Sequence, residues 1–323
     1  LKAEDNQRGA DEFHAVGGPL SVSDTPDPNP LSQAFVEAGG QNQVPVSTDF
    51  NRANDQEGIG LYQTTTRSGL RASAAKSYLS AEVQQRPNLS ILTAKQVQRV
   101  TFEGRRATGV ALADQTIYAR QEVLISAGAI NSPQLLLLSG IGPGEELRAL
   151  GIDVVLDAPR VGKNLADHLD VILQGNSKTD VGVGFEWNVP FRGLRWGWDW
   201  VSKRGGTLAS NVAEAGGFVK SNPDKAVPDI QFHFLPARIE DHGRKSVWGY
   251  GYSLHCCNLY PESRGEIRLA SADPLDKPIM DPRYLSDPEG QDMDVMMAAF
   301  DWGRRLLAAP AFDAHRGDEL DPG

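Results

Sequence analysis

The chain has 323 residues, of which 40% are hydrophobic and 23% are charged, and its formal net charge at pH 7 is −10. This length and composition are typical of a globular protein with two structural units. The acidic balance disfavours nucleic-acid binding, which needs a basic surface to neutralise phosphates. Because no run of eighteen apolar residues occurs, we expect no transmembrane segment.

A capped helix is predicted near the amino terminus. Asn29 is suited to accept hydrogen bonds from the first free amides, and Pro30 fits the first helical turn. Gly39 is expected to end this helix.

Residues 88–120 predict a β-meander, in which Glu103-Gly104 forms a tight turn. The predicted strands are Leu89–Thr93, Val97–Phe102, Thr108–Leu112 and Thr116–Ala119. A further strand, Glu122–Ser126, is apolar enough to be buried on both faces.

Very small residues follow this last strand, at positions 126–129, before a helix that contains Leu135–Leu138. Small residues at a strand end allow a flat ligand to lie against the backbone, and the helix start at Ser132-Pro133 offers free amides. A purely structural strand-to-helix crossover explains the pattern equally well. A short helix, Glu145–Leu150, and a strand, Ile152–Leu156, come next.

The second half of the chain alternates aromatic, strand and helix segments. Four tryptophans lie close together in the sequence: Trp187, Trp196, Trp198 and Trp200. The preferred interpretation is that they pack in a core or an interface. A binding surface for a sugar or a lipid is the alternative. The predicted strands are Ile230–Leu235, Tyr250–Leu259 and Glu266–Leu269. An amphipathic helix follows, with Met293, Met296, Met297, Phe300 and Leu307 at helical spacing. Core packing is the preferred interpretation of this methionine stripe, and a groove for a partner is the alternative.

Common catalytic motifs are missing from the sequence. No G-x-G-x-x-G, Walker loop, H-E-x-x-H or G-x-S-x-G occurs. Cys256 and Cys257 are adjacent, so we expect neither a disulfide nor a zinc site, and we place them on opposite faces of a strand.

Residues 128–142, GAINSPQLLLLSGIG, closely resemble the second signature of the glucose–methanol–choline (GMC) oxidoreductases, flavoenzymes that oxidise alcohols with FAD. Other segments are similar to further family elements: Gly69–Ser73, Tyr78-Leu79, Arg160–His168, Glu214–Phe218, Ser263–Gly265 and Asp281–Leu285. The resemblance covers about Gly18 to Gly323 and is strongest to the choline dehydrogenase and bacterial alcohol dehydrogenase branch.

The resemblance implies a mixed α/β (α+β) fold, with a partial FAD-binding domain of the GMC type and an antiparallel-sheet substrate domain with flanking helices. The expected divisions are a substrate-side segment (1–80), the remainder of the FAD-binding domain (81–165), the substrate-binding domain (166–285) and a C-terminal helix region (286–323).

Two family elements have no counterpart in this sequence. The family's amino-terminal glycine-rich loop holds the FAD pyrophosphate, and its main catalytic histidine stands in an H-P-x-G pattern. None of the six histidines here precedes a proline. We therefore expect the chain to be the central portion of a longer enzyme, and expect it alone neither to hold FAD tightly nor to turn over substrate.

His233 is the candidate catalytic residue. Strand periodicity places Ile230, Phe232 and Phe234 on one face and Gln231, His233 and Leu235 on the other. A strand histidine can simply be a satisfied polar residue. The resemblance implies a contact with the substrate hydroxyl, because choline-oxidising relatives have such a histidine in the matching strand.

Glu214 is the second substrate-binding candidate, beside His233. Relatives that oxidise choline use a glutamate at the matching position for the trimethylammonium group, but relatives acting on uncharged alcohols share the E-A-G-G-F pattern. A structural role for Glu214 is therefore the alternative.

The cofactor candidates are Val97, Ala127, Gly128 and Asn164. The resemblance implies that backbone groups of Val97 contact the adenine side of FAD and that Ala127 and Gly128 lie near its ribityl and phosphate region. Asn164 belongs to a polar cluster with Asp167 and His168, for which loop-fixing hydrogen bonds are the alternative. Asp170 is expected to be a solvated carboxylate.

The implied reaction is oxidation of a primary alcohol to an aldehyde by hydride transfer to flavin N5. The alcohol is choline-like, aliphatic or aryl, and the electrons pass to a quinone, another acceptor or oxygen. The alternative is a non-catalytic remnant that keeps part of the flavin-binding fold. The expected location is cytoplasmic, with peripheral membrane association left open.

Overall fold

The computed structural model describes residues 3–52, 56–184, 186–245 and 247–323. They form a mixed α/β fold with largely antiparallel strands, which confirms the predicted fold class. The chain divides into two compact units. Unit 1 comprises Leu1–Leu89, His168–Tyr260 and Met293–Gly323, and unit 2 comprises Ser90–Asp167 and Pro261–Asp292.

The helices are α1 Pro30–Gln41, α2 Ala74–Tyr78, α3 Ala81–Gln84, α4 Gly128–Leu138, α5 Gly144–Ala149, α6 Val189–Lys203 and α7 Gln291–Leu307. The strands are β1 Glu4–Asn6, β2 Leu20–Asp24, β3 Gly58–Leu61, β4 Gln63–Thr64, β5 Thr66–Arg67, β6 Leu70–Arg71, β7 Arg99–Glu103, β8 Arg106–Ala111, β9 Thr116–Tyr118, β10 Ile141–Gly142, β11 Leu156–Asp157, β12 Lys163–Leu165, β13 Asp170–Ser177, β14 Ala215–Val219, β15 Ile230–Leu235, β16 Gly251–Asn258, β17 Gly265–Arg268, β18 Ile279–Asp281 and β19 Arg316–Asp321. None of the helices in the described residues is both long and apolar enough to cross a membrane.

A six-stranded antiparallel sheet forms the centre of unit 1, in the order β19-β13-β16-β15-β14-β3. One face of the sheet is apolar and is covered by α1 and α7. Phe35 of α1 stacks on Phe234 of β15 with ring centroids 4.8 Å apart. Gly303 of α7 lies directly against Leu173 and Cys256, so a larger residue there would separate the helix from the sheet.

The start of α1 matches the prediction, but its end does not. Asn29 caps the helix by accepting a hydrogen bond from the Leu31 amide at 3.0 Å. The helix continues past Gly39 to Gln41. The position that a Cβ of Gly39 would take is only 3.0 Å from the Ile59 side chain, so this glycine allows close helix–sheet packing instead of ending the helix.

Unit 2 contains the predicted β-meander, in which β7, β8 and β9 pair in order and Gly104 lies in the first turn. Three strand predictions were wrong. Leu89–Thr93 and Glu122–Ser126 form no strand, and Leu124 is 79% exposed. Of the predicted strand Ile152–Leu156, only Leu156 belongs to a strand, the two-residue β11. An extended segment becomes a strand only when it pairs with a neighbour, and no described residue pairs with Glu122–Ser126.

The two units group the chain differently from the predicted divisions. Residues 261–285 were assigned to the substrate-binding domain, but they lie in unit 2 with residues 90–167. The reason is pairing across the sequence, because β17 joins β12 in one antiparallel sheet. The functional names given to the divisions remain predictions.

The aromatic and methionine segments also differ from expectation. Trp196 and Trp200 are half-buried, as packing requires, but Trp187 and Trp198 are exposed. In α7, Met296 is buried while Met293 and Met297 are about half exposed. Cys256 and Cys257 both lie on β16 and are both buried.

A buried histidine links strand β1 to the loop that contains Asp49. The Nε2 atom of His14 lies 2.8 Å from an Asp49 carboxylate oxygen, and its Nδ1 atom lies 3.0 Å from a Glu4 oxygen. Burial by itself lowers the pKa of His14, but the hydrogen bonds to Glu4 and Asp49 outweigh this effect and raise the pKa. Protonated His14 donates to both carboxylates.

We expect the free energy of unfolding to fall as the pH rises through the folded-state pKa of His14. Because this pKa is raised, the contribution of His14 is complete below the unfolded value of about 6.5 and is lost above the folded value. Urea denaturation of the wild type and His14→Gln across this range measures the effect, which the variant should lack. His315→Gln is the control and should keep the wild-type pH dependence, because His315 bonds to Thr179 and to no carboxylate of the described residues. An unchanged slope in His14→Gln would contradict the assignment.

Candidate active site

The polar face of the unit 1 sheet carries the candidate catalytic histidine. Burial along β15 alternates as predicted: Ile230, Phe232 and Phe234 are fully buried, whereas His233 is half-buried. Antiparallel register places His233 between Gly216 of β14 and His255 of β16. Because paired residues point to the same face, His233 and His255 are neighbours on the side away from the aromatic core.

A carboxylate holds the second histidine. The Nδ1–H of His255 donates to an Asp170 carboxylate oxygen at 2.5 Å. This hydrogen bond is the main cause of the lowered pKa of Asp170. Asp170 is exposed, as predicted, but it also holds His255, because the pairing of β13 with β16 brings the two side chains together. The Nε2 atom of His255 is buried and has no hydrogen-bond partner among the described residues.

The environment of His233 lowers its pKa and so favours the neutral imidazole. Burial lowers its pKa most, and positive charge on His255 and His168 lowers it further against the opposing effect of Asp170. A neutral imidazole can accept a hydrogen bond or a proton from a hydroxyl group. This face of the sheet therefore offers one hydrogen-bond acceptor, the His233 imidazole, next to the His255–Asp170 pair.

Tyr62 also borders His233, and the sequence interpretation missed it. Its ring centroid lies 6.0 Å from that of His233, and its hydroxyl donates to the Phe232 carbonyl at 2.8 Å. Burial raises the pKa of Tyr62 to about 12, so the hydroxyl stays neutral. A Cβ at Gly216 would lie 2.0 Å from the Tyr62 hydroxyl oxygen. A glycine inside a strand often marks a place where another group approaches the backbone closely. Gly216 was therefore the sequence signal that could have indicated a side chain such as Tyr62 at this position.

The Glu214 carboxylate accepts hydrogen bonds from other residues of the same chain. One carboxylate oxygen accepts from the Asn29 amide at 2.7 Å and from the Ser32 hydroxyl at 2.8 Å, and the other accepts from the Ser210 hydroxyl at 2.6 Å. The side chain is 3% exposed. This Glu214 cluster ties the amino-terminal end of α1 to β14 and places negative charge at the positive end of the helix dipole. The geometry supports the structural alternative for Glu214.

A cavity of about 570 Å³ in unit 2 brings two cofactor candidates together. Val97 and Ala127 both line it, with Ile125, Asn131 and Gln134. Gly128 follows in the left-handed region, with φ 83°, and no atom lies within 4 Å of the position that its Cβ would take. The small-residue loop therefore leaves open space beside the backbone, which fits part of a nucleotide cofactor.

The fourth cofactor candidate lies elsewhere in unit 2. Asn164 is an exposed residue of β12 with φ 63°, and it is not among the residues that line the cavity. The nearby Asp167 carboxylate accepts a hydrogen bond from the Tyr284 hydroxyl at 2.5 Å. This bond supports the loop-fixing alternative for the cluster. In the described part of the chain, no group of three acidic, histidine or cysteine side chains could hold a metal ion.

Comparison with known families agrees with the sequence signature. The amino-terminal model of the GMC oxidoreductases matches residues 2–170, and the carboxy-terminal model matches residues 261–323. The chain belongs to the GMC oxidoreductase family. The family resemblance predicted from residues 128–142 is thereby confirmed.

Curated relatives cover the whole chain. An alcohol dehydrogenase (acceptor) of Pseudomonas putida is 47% identical, and an oxygen-dependent choline dehydrogenase of Burkholderia thailandensis is 42% identical. The chain spans 59% and 57% of the lengths of these two relatives.

Solved structures show the same fold. Pyridoxine 4-oxidase from Mesorbium loti superposes with a TM-score of 0.82 at 28% identity, covering 99% of this chain and 59% of that protein. An FAD-dependent oxidoreductase from Chaetomium thermophilum has a TM-score of 0.81 at 22% identity, covering 100% of this chain and 64% of that protein. FAD is the cofactor of the family to which the chain belongs, as the resemblance implied.

We expect Glu214→Gln to lower the free energy of unfolding by about 2–3 kcal/mol, because an amide cannot accept all three hydrogen bonds of the Glu214 cluster. Urea denaturation measures the change. Glu37→Gln, an exposed substitution on the same helix α1, is the control and should change stability by about 0.5 kcal/mol or less. Equal effects of the two substitutions would contradict the structural role.

We expect His255→Gln to raise the pKa of His233, because the variant removes a positive charge that disfavours protonation of His233. His168→Gln should cause a smaller rise. NMR titration of the ring protons, assigned by their loss in His233→Gln, measures both shifts. A lower or unchanged pKa of His233 in His255→Gln would exclude electrostatic coupling between the two rings.

Proposed function

We propose that the protein takes part in the FAD-dependent oxidation of a primary alcohol to an aldehyde, with His233 contacting the substrate hydroxyl. Membership of the GMC family supports the reaction class, as do the alcohol and choline dehydrogenase names of its relatives. The observation that carries the proposal is the neutral, half-buried His233 beside the hydrogen-bonded Asp170–His255 pair.

His233 would accept a hydrogen bond from the alcohol hydroxyl and so orient the α-carbon for oxidation. Bound FAD supplies the hydride acceptor, flavin N5. Asp170 would keep the His255 ring in place and so limit movement of the adjacent His233. The Tyr62 ring, which stays neutral, would pack against His233 on the side away from His255.

The unit 2 cavity would hold part of the cofactor. Val97 and Ala127 would offer backbone groups to it, and Gly128 would leave room for the approach of the ligand. Asn164 stays a proposed contact on the basis of the family resemblance alone.

An uncharged alcohol is the favoured substrate class. Glu214 was proposed as a contact for a cationic head group, but both of its carboxylate oxygens already accept hydrogen bonds from Asn29, Ser32 and Ser210. Recruiting Glu214 to a trimethylammonium group would disturb the start of α1. The electron acceptor is proposed to be a quinone, another acceptor or oxygen.

One observation favours the second candidate, a flavin-binding fold without turnover. The apolar segment Glu122–Ser126 borders the cavity, yet no described residue pairs with it and Leu124 is exposed. A chain with an incomplete flavin site would have this property.

The test uses the protein together with any sequence that flanks residues 1–323 in its source, loaded with FAD. We expect a panel of primary alcohols to bleach the flavin without air, and His233→Ala to slow this bleaching about 100-fold. His315→Gln is the control, because the His315 ring bonds to the Thr179 hydroxyl and to none of Tyr62, Asp170, His233 and His255. Bound flavin that no alcohol bleaches would support the non-catalytic candidate, and an unchanged rate in His233→Ala would contradict the role of His233.

A further inference from the structure

Helix α6 exposes a continuous apolar stripe. The stripe consists of Phe191, Leu194, Trp198 and Val201, spaced by three or four residues, and each of these side chains is between 63% and 76% exposed. Such spacing places them on one face of the helix. A contiguous group of exposed apolar side chains, unlike scattered single ones, indicates an interaction site.

The opposite face of α6 is firmly attached to unit 1. Trp200 donates its indole N–H to the Gly69 carbonyl at 3.1 Å. The Arg192 guanidinium lies 4.7 Å from the Tyr250 ring centroid and donates to the Gly182 carbonyl at 2.9 Å. The orientation of the helix is therefore set by specific contacts, and these contacts turn the apolar stripe away from unit 1.

Two further tryptophans extend the apolar surface. Trp187, just before α6, is 88% exposed and meets Trp248 edge to face, with ring centroids 5.3 Å apart. Trp248 is also exposed, at 58%. Tryptophan is enriched where proteins meet the boundary between lipid headgroups and acyl chains.

The charges on α6 and at its end are mainly positive. Arg195 and Lys203 are exposed and both form ion pairs with Asp199, the one acidic residue within the helix. Arg204 follows at the end of the helix, with its guanidinium over the Trp200 ring, so positive charge remains in excess. The chain as a whole carries a net charge of −10, so this basic edge is a local exception. It is complementary to an anionic surface.

We propose that α6 lies flat on an anionic lipid surface, with Phe191, Leu194, Trp198 and Val201 inserted at the headgroup boundary. A helix that combines an apolar aromatic face with flanking basic residues binds membranes in this way. A symmetric dimer through the same face is disfavoured, because it would bring Arg195 and Lys203 of one copy near the same residues of the other. This inference is independent of the proposed oxidation.

Co-sedimentation of the purified chain with lipid vesicles tests the proposal. We expect binding to phosphatidylcholine vesicles that contain about one third phosphatidylglycerol, with a blue shift of tryptophan fluorescence, and weaker binding as salt increases. Trp198→Asp should lower the binding at least about tenfold, because a charge replaces an inserted ring. The matched control is Tyr118→Asp, which replaces an exposed aromatic residue of β9 and should bind like the wild type. Circular dichroism confirms that both variants fold.

The basic edge is tested separately. Arg195→Gln combined with Lys203→Gln should reduce binding to the anionic vesicles and leave the weak binding to pure phosphatidylcholine unchanged.

Three results would overturn the proposal. The first is no binding to either kind of vesicle. The second is self-association of the chain that Trp198→Asp abolishes, which would assign the stripe to a second copy. The third is loss of vesicle binding when the protein carries any sequence that flanks these residues in its source. That result would show that the flanking sequence packs on the apolar stripe.

Discussion

Burial of the phenylalanines in β15 is the constraint on which the candidate site depends. Phe232 and Phe234 are completely buried, and Phe234 stacks on Phe35 of α1. Since side chains alternate along a strand, a shift of one residue would bring His233 into the core and expose both phenylalanines. The free-energy cost of such a shift fixes the register of β15, and that register places His233 beside His255.

The polar face of the same sheet is packed differently from the apolar face. The apolar face is filled by large side chains, whereas glycine at position 216 leaves room for Tyr62 to lie across β14. The histidine site is therefore shaped on one side by an aromatic ring and on the other by the Asp170–His255 pair. Asp170, His233 and His255 come from the neighbouring strands β13, β15 and β16, and Tyr62 directly follows β3. The four residues therefore meet although they are far apart in the sequence.

Local patterns were the most predictable part of the molecule. The bounds of β15, the cap at Asn29 and the turn of the meander depend on residues close in sequence, and the structure matches them. Features that depend on distant partners were not predictable. The Asp170–His255 bond requires the register of β13 against β16, and the exposure of Glu122–Ser126 reflects a missing ladder partner among the described residues. The structure brings only some of the candidate cofactor residues together: Val97 and Ala127 line one cavity, and Asn164 lies outside it.

The Glu214 cluster has a consequence for the order of events during synthesis on the ribosome. Its hydrogen bond to the Asn29 amide joins residues 185 positions apart, and its bond to Ser32 joins residues 182 positions apart. Closing so long a loop has an entropic cost that only a largely collapsed chain can offset. The amino-terminal end of α1 therefore lacks these hydrogen-bond partners until the ribosome has delivered β14.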